Sequence, residues 1–99
     1  MIPKLQDDAR EKALKEHPQW CYDPERDAIL RDFVFKDFKT AFMFMTQVAQ
    51  AADEQDHHPE WFNVYNKVNV LLTTHDCQGL SARDFKLAKV MDRAFDSLS

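Results

Sequence analysis

The segment 37–55 constrains the fold of this 99-residue chain more than any other part of the sequence. Asp37 is a suitable helix N-cap, and the apolar residues after it recur at the i, i+3, i+4, i+7 spacing of one helix face. Met43 and Phe44 fall outside that face, and we interpret them as a second apolar face used in self-association, with contact at a sheet edge as the alternative. The predicted buried stripe of the helix consists of Phe38, Ala41, Phe42, Met45, Val48, Ala49 and Ala52.

Three elements are predicted before this helix. Residues 7–17 form a first helix that ends at Pro18, because the residue before a proline is pushed out of helical geometry. Residues 20–22 and 29–35 are strand-like, and a turn containing Pro24 separates them. Apolar residues occur on both faces of the second strand, so we expect both faces to be partly covered. They are Ile29, Phe33 and Phe35 on one face and Leu30 and Val34 on the other.

Three more elements are predicted after the long helix. Residues 61–65 and 68–74 are strands joined at Asn66-Lys67, where asparagine tolerates the left-handed conformation of a tight turn. Ser81 and Asp84 have the spacing of a capping box, which starts a final amphipathic helix. The order αββαββα predicts one α+β domain over residues 1–99, with three helices packed on one face of a four-stranded antiparallel sheet.

Charge, hydropathy and cysteine content exclude several classes of protein. The net charge is −4 and basic residues form no block, so we expect no direct nucleic-acid binding. No apolar run approaches the roughly 20 residues of a membrane span. Cys21 and Cys77 have no paired spacing, which favours a reduced, cytoplasmic protein, with a nuclear location left open. The single glycine leaves no glycine-rich loop to bind phosphate.

Three of the four histidines are predicted to meet at one site. His57 and His58 follow the acidic C-terminal end of the long helix, where the helix dipole disfavours negative charge and a protonated histidine would compensate. The strand 61–65 leaves this loop and the strand 68–74 returns to it, so His75 should come back beside the pair. Histidine exchanges protons near neutral pH, so the sequence predicts a proton-transfer site.

Two other interpretations of these histidines are weaker. Adjacent surface histidines can simply be solvated, although Pro59 and the acidic flank disfavour this. A zinc site could use the residues His75-Asp76-Cys77, but adjacent ligands such as His57 and His58 seldom share one ion. We therefore expect no metal.

Aromatic and basic residues near the histidines have both structural and functional interpretations. Trp20 and Trp61 are either core aromatics or a stacking surface for a flat heterocycle. Arg83 is expected to pair with Asp84 or Asp76, with guarding of the pocket as its alternative.

Motifs around the histidines have a highly specific spacing. They resemble the signature of the pterin-4a-carbinolamine dehydratase family, which includes the dimerization cofactor of a homeodomain transcription factor. The resemblance covers nearly all of the chain after the first helix. The residues that carry it are Asp53, Asp56-His57-His58-Pro59, the run 61–68, Thr74-His75 and Asp84.

The resemblance implies that the chain dehydrates 4a-hydroxytetrahydrobiopterin to quinonoid dihydrobiopterin, in tetrahydrobiopterin recycling, without a metal or organic cofactor. By this analogy His57 and His75 are acid/base residues and His58 binds and polarises the substrate. Asp53 and Glu54 would give acidic support, although a glutamate often occupies position 53 in animal members, which puts a direct role of the shorter Asp53 in doubt. The implied substrate-binding residues are Asp56, Pro59, Trp61, Trp20, Thr74, Asp84 and Arg83, of which Asp56 or Asp84 would orient or charge a histidine.

The resemblance also implies partners. The long helix 37–55 would join copies of the chain into a homo-oligomer, a dimer of dimers. In an alternative function, the same helix would dock a transcription-factor dimerization domain, either beside the catalysis or in place of it.

Overall fold

A computed structural model describes residues 2–99 as three helices and a four-stranded antiparallel sheet. This confirms the α+β class and the αββαββα order, and the strand ends lie within two residues of the predicted ones. The elements in chain order are α1 (Asp7–Glu16), β1 (Cys21–Asp23), β2 (Ala28–Val34), α2 (Phe38–Gln55), β3 (Glu60–Val64), β4 (Lys67–Leu72) and α3 (Ala82–Leu98), with a 3-10 turn at His75–Cys77 before α3.

The sheet has the order β1-β2-β4-β3, so β4 is flanked on both sides and its loop carries His75 to the sheet end. The turn between β3 and β4 differs from the prediction, because Tyr65 and not Asn66 adopts the left-handed conformation, with φ of 49°. Asn66 instead connects this turn to Phe35, the residue after β2. Its side-chain amide donates to the carbonyl of Phe35 at 2.8 Å, and its own carbonyl accepts from the Phe35 amide at 2.8 Å.

The core lies between one sheet face and the helices α2 and α3, and it corrects the predicted stripe of α2. Phe44 is fully buried, with its ring centroid 4.7 Å from that of Phe33 and 5.0 Å from that of Phe35. Phe38 and Phe42, placed in the stripe by their spacing, are 48% and 55% exposed. Compared with the predicted orientation, α2 is rotated about its axis so that Phe44 points towards the sheet. The large Phe44 ring fills the space above the aromatic residues of the strands.

The opposite face of the sheet is open. Val34, Phe62 and Val64 are all more than half exposed, and the three helices lie on the other side. The expectation that both faces of β2 are covered is therefore wrong for Val34 in the single chain, while Leu30 is half-buried.

Both predicted helix caps are confirmed. Asp37 Oδ1 accepts from the amide of Thr40 at 2.8 Å, and Ser81 with Asp84 forms a complete capping box at the start of α3. Within residues 2–99, each helix is too short or too polar to cross a bilayer.

Candidate active site

All three predicted histidines line a single cavity of about 430 Å³ at the sheet end where β4 finishes and β3 begins. The fold therefore brings together the loop after α2 and the loop after β4, as the hairpin geometry predicts. The sequence-predicted residues in its lining are Asp56, His57, His58, Pro59, Thr74, His75 and Arg83.

The local backbone separates the two adjacent histidines. Asp56 ends α2 in the left-handed conformation, with φ of 49°, and its amide caps the carbonyls of Ala52 and Asp53. The His57 amide then bonds the Ala52 carbonyl at 3.0 Å, which turns the chain back along the helix end. As a result His57 is 7% exposed and points inward, while the side chain of His58 is 61% exposed.

His57 is held by a buried carboxylate. Its Nε2 lies 2.6 Å from Oδ1 of Asp84, which is fully buried. The other carboxylate oxygen of Asp84 accepts from the Thr74 hydroxyl at 2.8 Å and from the Ser81 amide at 2.9 Å. Asp84 therefore fixes one ring nitrogen of His57 while it completes the capping box of α3.

His58 pairs with the acidic helix end, as predicted. Its Nε2 is 3.1 Å from Oδ1 of Asp53, whose side chain is 83% exposed. This contact places a histidine beside the carboxylate that the α2 dipole disfavours. Neither Asp53 nor the exposed Glu54 lines the cavity.

His75 faces the cavity beside a carboxylate that sequence reasoning did not assign to the site. Its Nε2 lies 3.5 Å from Oε2 of Glu60, and Glu60 is bound at both oxygens by Arg26, at 3.0 and 2.7 Å. The hydrogen bond from Arg26 is the main cause that lowers the pKa of Glu60, with the charge of His75 a smaller one. A signal for Glu60 was available, since it lies directly between Pro59 and Trp61 in the histidine motif, but nothing local marks Arg26.

Both tryptophans lie outside this cavity, contrary to the predicted role in bordering the substrate. Trp20 is 4% exposed, and its indole N–H donates to Oδ1 of Asp92 at 2.9 Å. Its ring packs edge-on against Phe33 in the core. Trp61 is half-buried opposite Val70 and also packs against the core. Burial of large aromatic surface decides the position of both side chains.

Arg83 lines the cavity and does not make the predicted ion pair. Asp84 is already occupied by His57, and Arg83 Nη1 instead reaches the carbonyl of Asp56 at 3.5 Å. Thr74, an ordinary strand residue by its sequence pattern, is buried and bonds both Asp84 and Ser81.

Potential metal ligands are not clustered in the part of the chain that the structure describes: no three His, Cys, Asp or Glu side chains in residues 2–99 are arranged to hold an ion. The Cys77 thiol lies near Thr74 and Gly79 and donates to their carbonyls. Partial burial raises the pKa of Cys77, which favours the neutral thiol over the thiolate that binds metals.

Comparisons with known proteins agree with one another. A family model described as pterin 4 alpha carbinolamine dehydratase matches residues 3–94. Relatives from Rhodospirillum rubrum and Rhodopseudomonas palustris, each provisionally named pterin-4-alpha-carbinolamine dehydratase, are both 52% identical; the alignments cover 94% and 100% of this chain and 97% and 98% of the relatives. The crystal structure of the transcriptional coactivator/pterin dehydratase from Brucella melitensis superposes with a TM-score of 0.90 at 44% identity, over 94% of this chain and 99% of that one.

Proposed function

Because this chain belongs to the pterin 4 alpha carbinolamine dehydratase family, we propose that it dehydrates a 4a-hydroxytetrahydropterin to the quinonoid dihydropterin in tetrahydrobiopterin recycling. The observation that carries this proposal is the convergence of His57, His58 and His75 on one cavity. Each of the three has a carboxylate beside its Nε2.

The reaction needs two proton transfers, and histidines at different positions in one cavity suit them. A general acid protonates the 4a-oxygen so that the C–O bond breaks and water leaves. A base removes a ring-nitrogen proton, and the electron pair of that N–H bond forms the new C=N bond. We assign these two roles to His57 and His75, which enter the cavity from different loops, and binding and polarisation to His58.

Several neighbours support these roles. Asp84 orients His57 through the 2.6 Å contact, and Thr74 fixes Asp84 in turn. Asp56, Pro59 and Arg83 also line the cavity, and we assign them to substrate binding. Asp53 supports His58 from outside the cavity.

The test is to incubate the protein with freshly generated carbinolamine and to follow its loss against the spontaneous reaction. We expect clear acceleration by the wild type, and a loss of about 10²-fold or more in His58→Ala, because this variant lacks the side chain that we assign to binding and polarising the substrate. His17→Gln is the matched control, because His17 lies at the end of α1 and outside the cavity. A wild-type rate equal to the spontaneous one, or full activity of His58→Ala, contradicts the proposal.

We also propose that α2 joins copies of this chain. Phe38, Phe42 and Met43 are 44–55% exposed, and the rings of Phe38 and Phe42 lie 5.8 Å apart as one apolar patch. A closed dimer of dimers needs two different self-complementary interfaces, and the edge strand β3 with its exposed Phe62 and Val64 is suited to be the second.

Light scattering of the purified protein tests this assembly. We expect a tetramer for the wild type and a smaller species for Phe42→Glu, with Gln50→Glu on the exposed side of the same helix as the control. A monomeric wild type contradicts the proposal.

A second proposed function is docking of a transcription-factor dimerization helix on α2, and the name of the Brucella melitensis protein, transcriptional coactivator/pterin dehydratase, favours it. If α2 docks such a helix, a helical dimerization peptide should displace subunits from the homo-oligomer. No displacement by the peptide would contradict this second function.

A further inference from the structure

Three ionisable side chains form a row across the sheet end beside the cavity. Arg26 lies in the turn between β1 and β2, Glu60 is the first residue of β3, and His75 follows β4. The guanidinium grips both oxygens of Glu60, and Oε2 of Glu60 lies 3.5 Å from Nε2 of His75. Three loops that are distant in the sequence are thus joined at the mouth of the site.

Arg26 is held in place by its neighbour. Asp27 is buried in the left-handed conformation, with φ of 50°, and accepts from the Tyr22 hydroxyl at 2.8 Å and the Leu80 amide at 3.2 Å. Its carbonyl accepts from the Thr73 hydroxyl at 3.0 Å. The turn is therefore fixed to the wall of the cavity, and Arg26 extends from a rigid base.

We propose that Glu60, clamped by Arg26, is a positioning residue that orients His75 for proton transfer, an inference that rests on the dehydratase function proposed above. The bidentate clamp fixes the plane of the carboxylate, which an exposed glutamate would otherwise leave free to rotate. Glu60 and His75 both line the cavity, so a His75 ring that Glu60 orients would face the bound substrate.

The role parallels that of Asp84 toward His57, with one difference in construction. Asp84 is immobilised by burial and by its capping box, whereas Glu60 is 43% exposed and is immobilised by an arginine. Each proposed acid/base histidine therefore has a carboxylate beside it. The capping box holds the carboxylate of Asp84, and Arg26 holds that of Glu60.

Glu60→Gln tests the proposal in both the wild-type and the His75→Gln backgrounds. Solvent weakens a pair this exposed, so we expect kcat to fall about three- to fivefold with little change in KM. No further loss is expected when His75 is already replaced, because Glu60 acts through that ring. Glu25→Gln, which removes the same charge from an exposed position in the same turn as Arg26, should match the wild type.

Ring resonances of His75, followed by NMR, separate this inference from the proposed function. They should shift in Glu60→Gln and stay unchanged in Glu25→Gln even if the wild type fails to dehydrate the carbinolamine. Unchanged His75 resonances in Glu60→Gln overturn the inference. If the wild type is active, an unchanged kcat in Glu60→Gln also overturns the inference. An equal loss of kcat on adding Glu60→Gln to His75→Gln overturns it as well, and this result would indicate direct contact between Glu60 and the substrate.

Discussion

Each end of the histidine cavity pairs a histidine with a carboxylate, but the two pairs lie in opposite environments. His57 and Asp84 are 8% and 0% exposed at their side chains and lie 2.6 Å apart, whereas His75 and Glu60 are 75% and 43% exposed and lie 3.5 Å apart. A buried polar network depends on every partner, because each group left unpaired costs desolvation energy. An exposed pair can lose a partner to water at little cost. Replacing a residue of the buried pair should therefore lower stability as well as the proposed activity, whereas replacing a residue of the exposed pair should leave stability nearly unchanged.

The link between stability and the proposed activity is concentrated in Asp84. One carboxylate oxygen faces His57, and the other closes the cap of α3 and receives the Thr74 hydroxyl. The residue that contacts His57 thus also completes the capping box of α3, and its replacement should disturb both.

The largest expected effect comes from Asp84→Ala, which should reduce the free energy of unfolding by about 3–5 kcal/mol, since it leaves His57, Thr74 and the Ser81 amide without their buried partner. Urea denaturation measures the change. Asp76→Ala, an exposed carboxylate of the same cavity wall, is the control and should stay close to the wild type. Equal stability of the Asp84 variant and the wild type would remove the contrast between the two ends.

A smaller effect, with a pH dependence, is expected at the exposed end. Arg26 lowers the pKa of Glu60 below its ordinary 4.5, so the stabilisation from this pair is present above that value and is lost as the pH falls through the lowered one. Glu60→Gln should therefore lower the melting temperature by no more than about 3 °C at neutral pH, and the difference should vanish in acid. Melting curves at both pH values check this, and a difference that grows toward acid would contradict the assignment.

The sequence predicts those parts of the fold that depend on local contacts. The N-cap at Asp37 and the capping box at Ser81 join residues three positions apart, and both are found as expected. The meeting of His57, His58 and His75 also follows from the sequence, because a hairpin returns the chain to its start.

The remaining errors involve packing between distant segments. Periodicity placed Phe44 outside the buried stripe of α2, but the space above Phe33 and Phe35 decides which face of the helix turns inward. The Trp20 indole reaches Asp92, 72 positions later, and Arg26 reaches Glu60, 34 positions later. No local pattern marks such pairs.

The most direct test of the proposed active site is the dehydration rate of the His58→Ala/His75→Ala double variant. Both side chains are largely exposed, at 61% and 75%, so the variant should keep the melting temperature of the wild type. We expect a folded protein whose carbinolamine dehydration is no faster than the spontaneous reaction. A folded double variant that still accelerates dehydration as well as the wild type would contradict the assignment of this cavity as the active site.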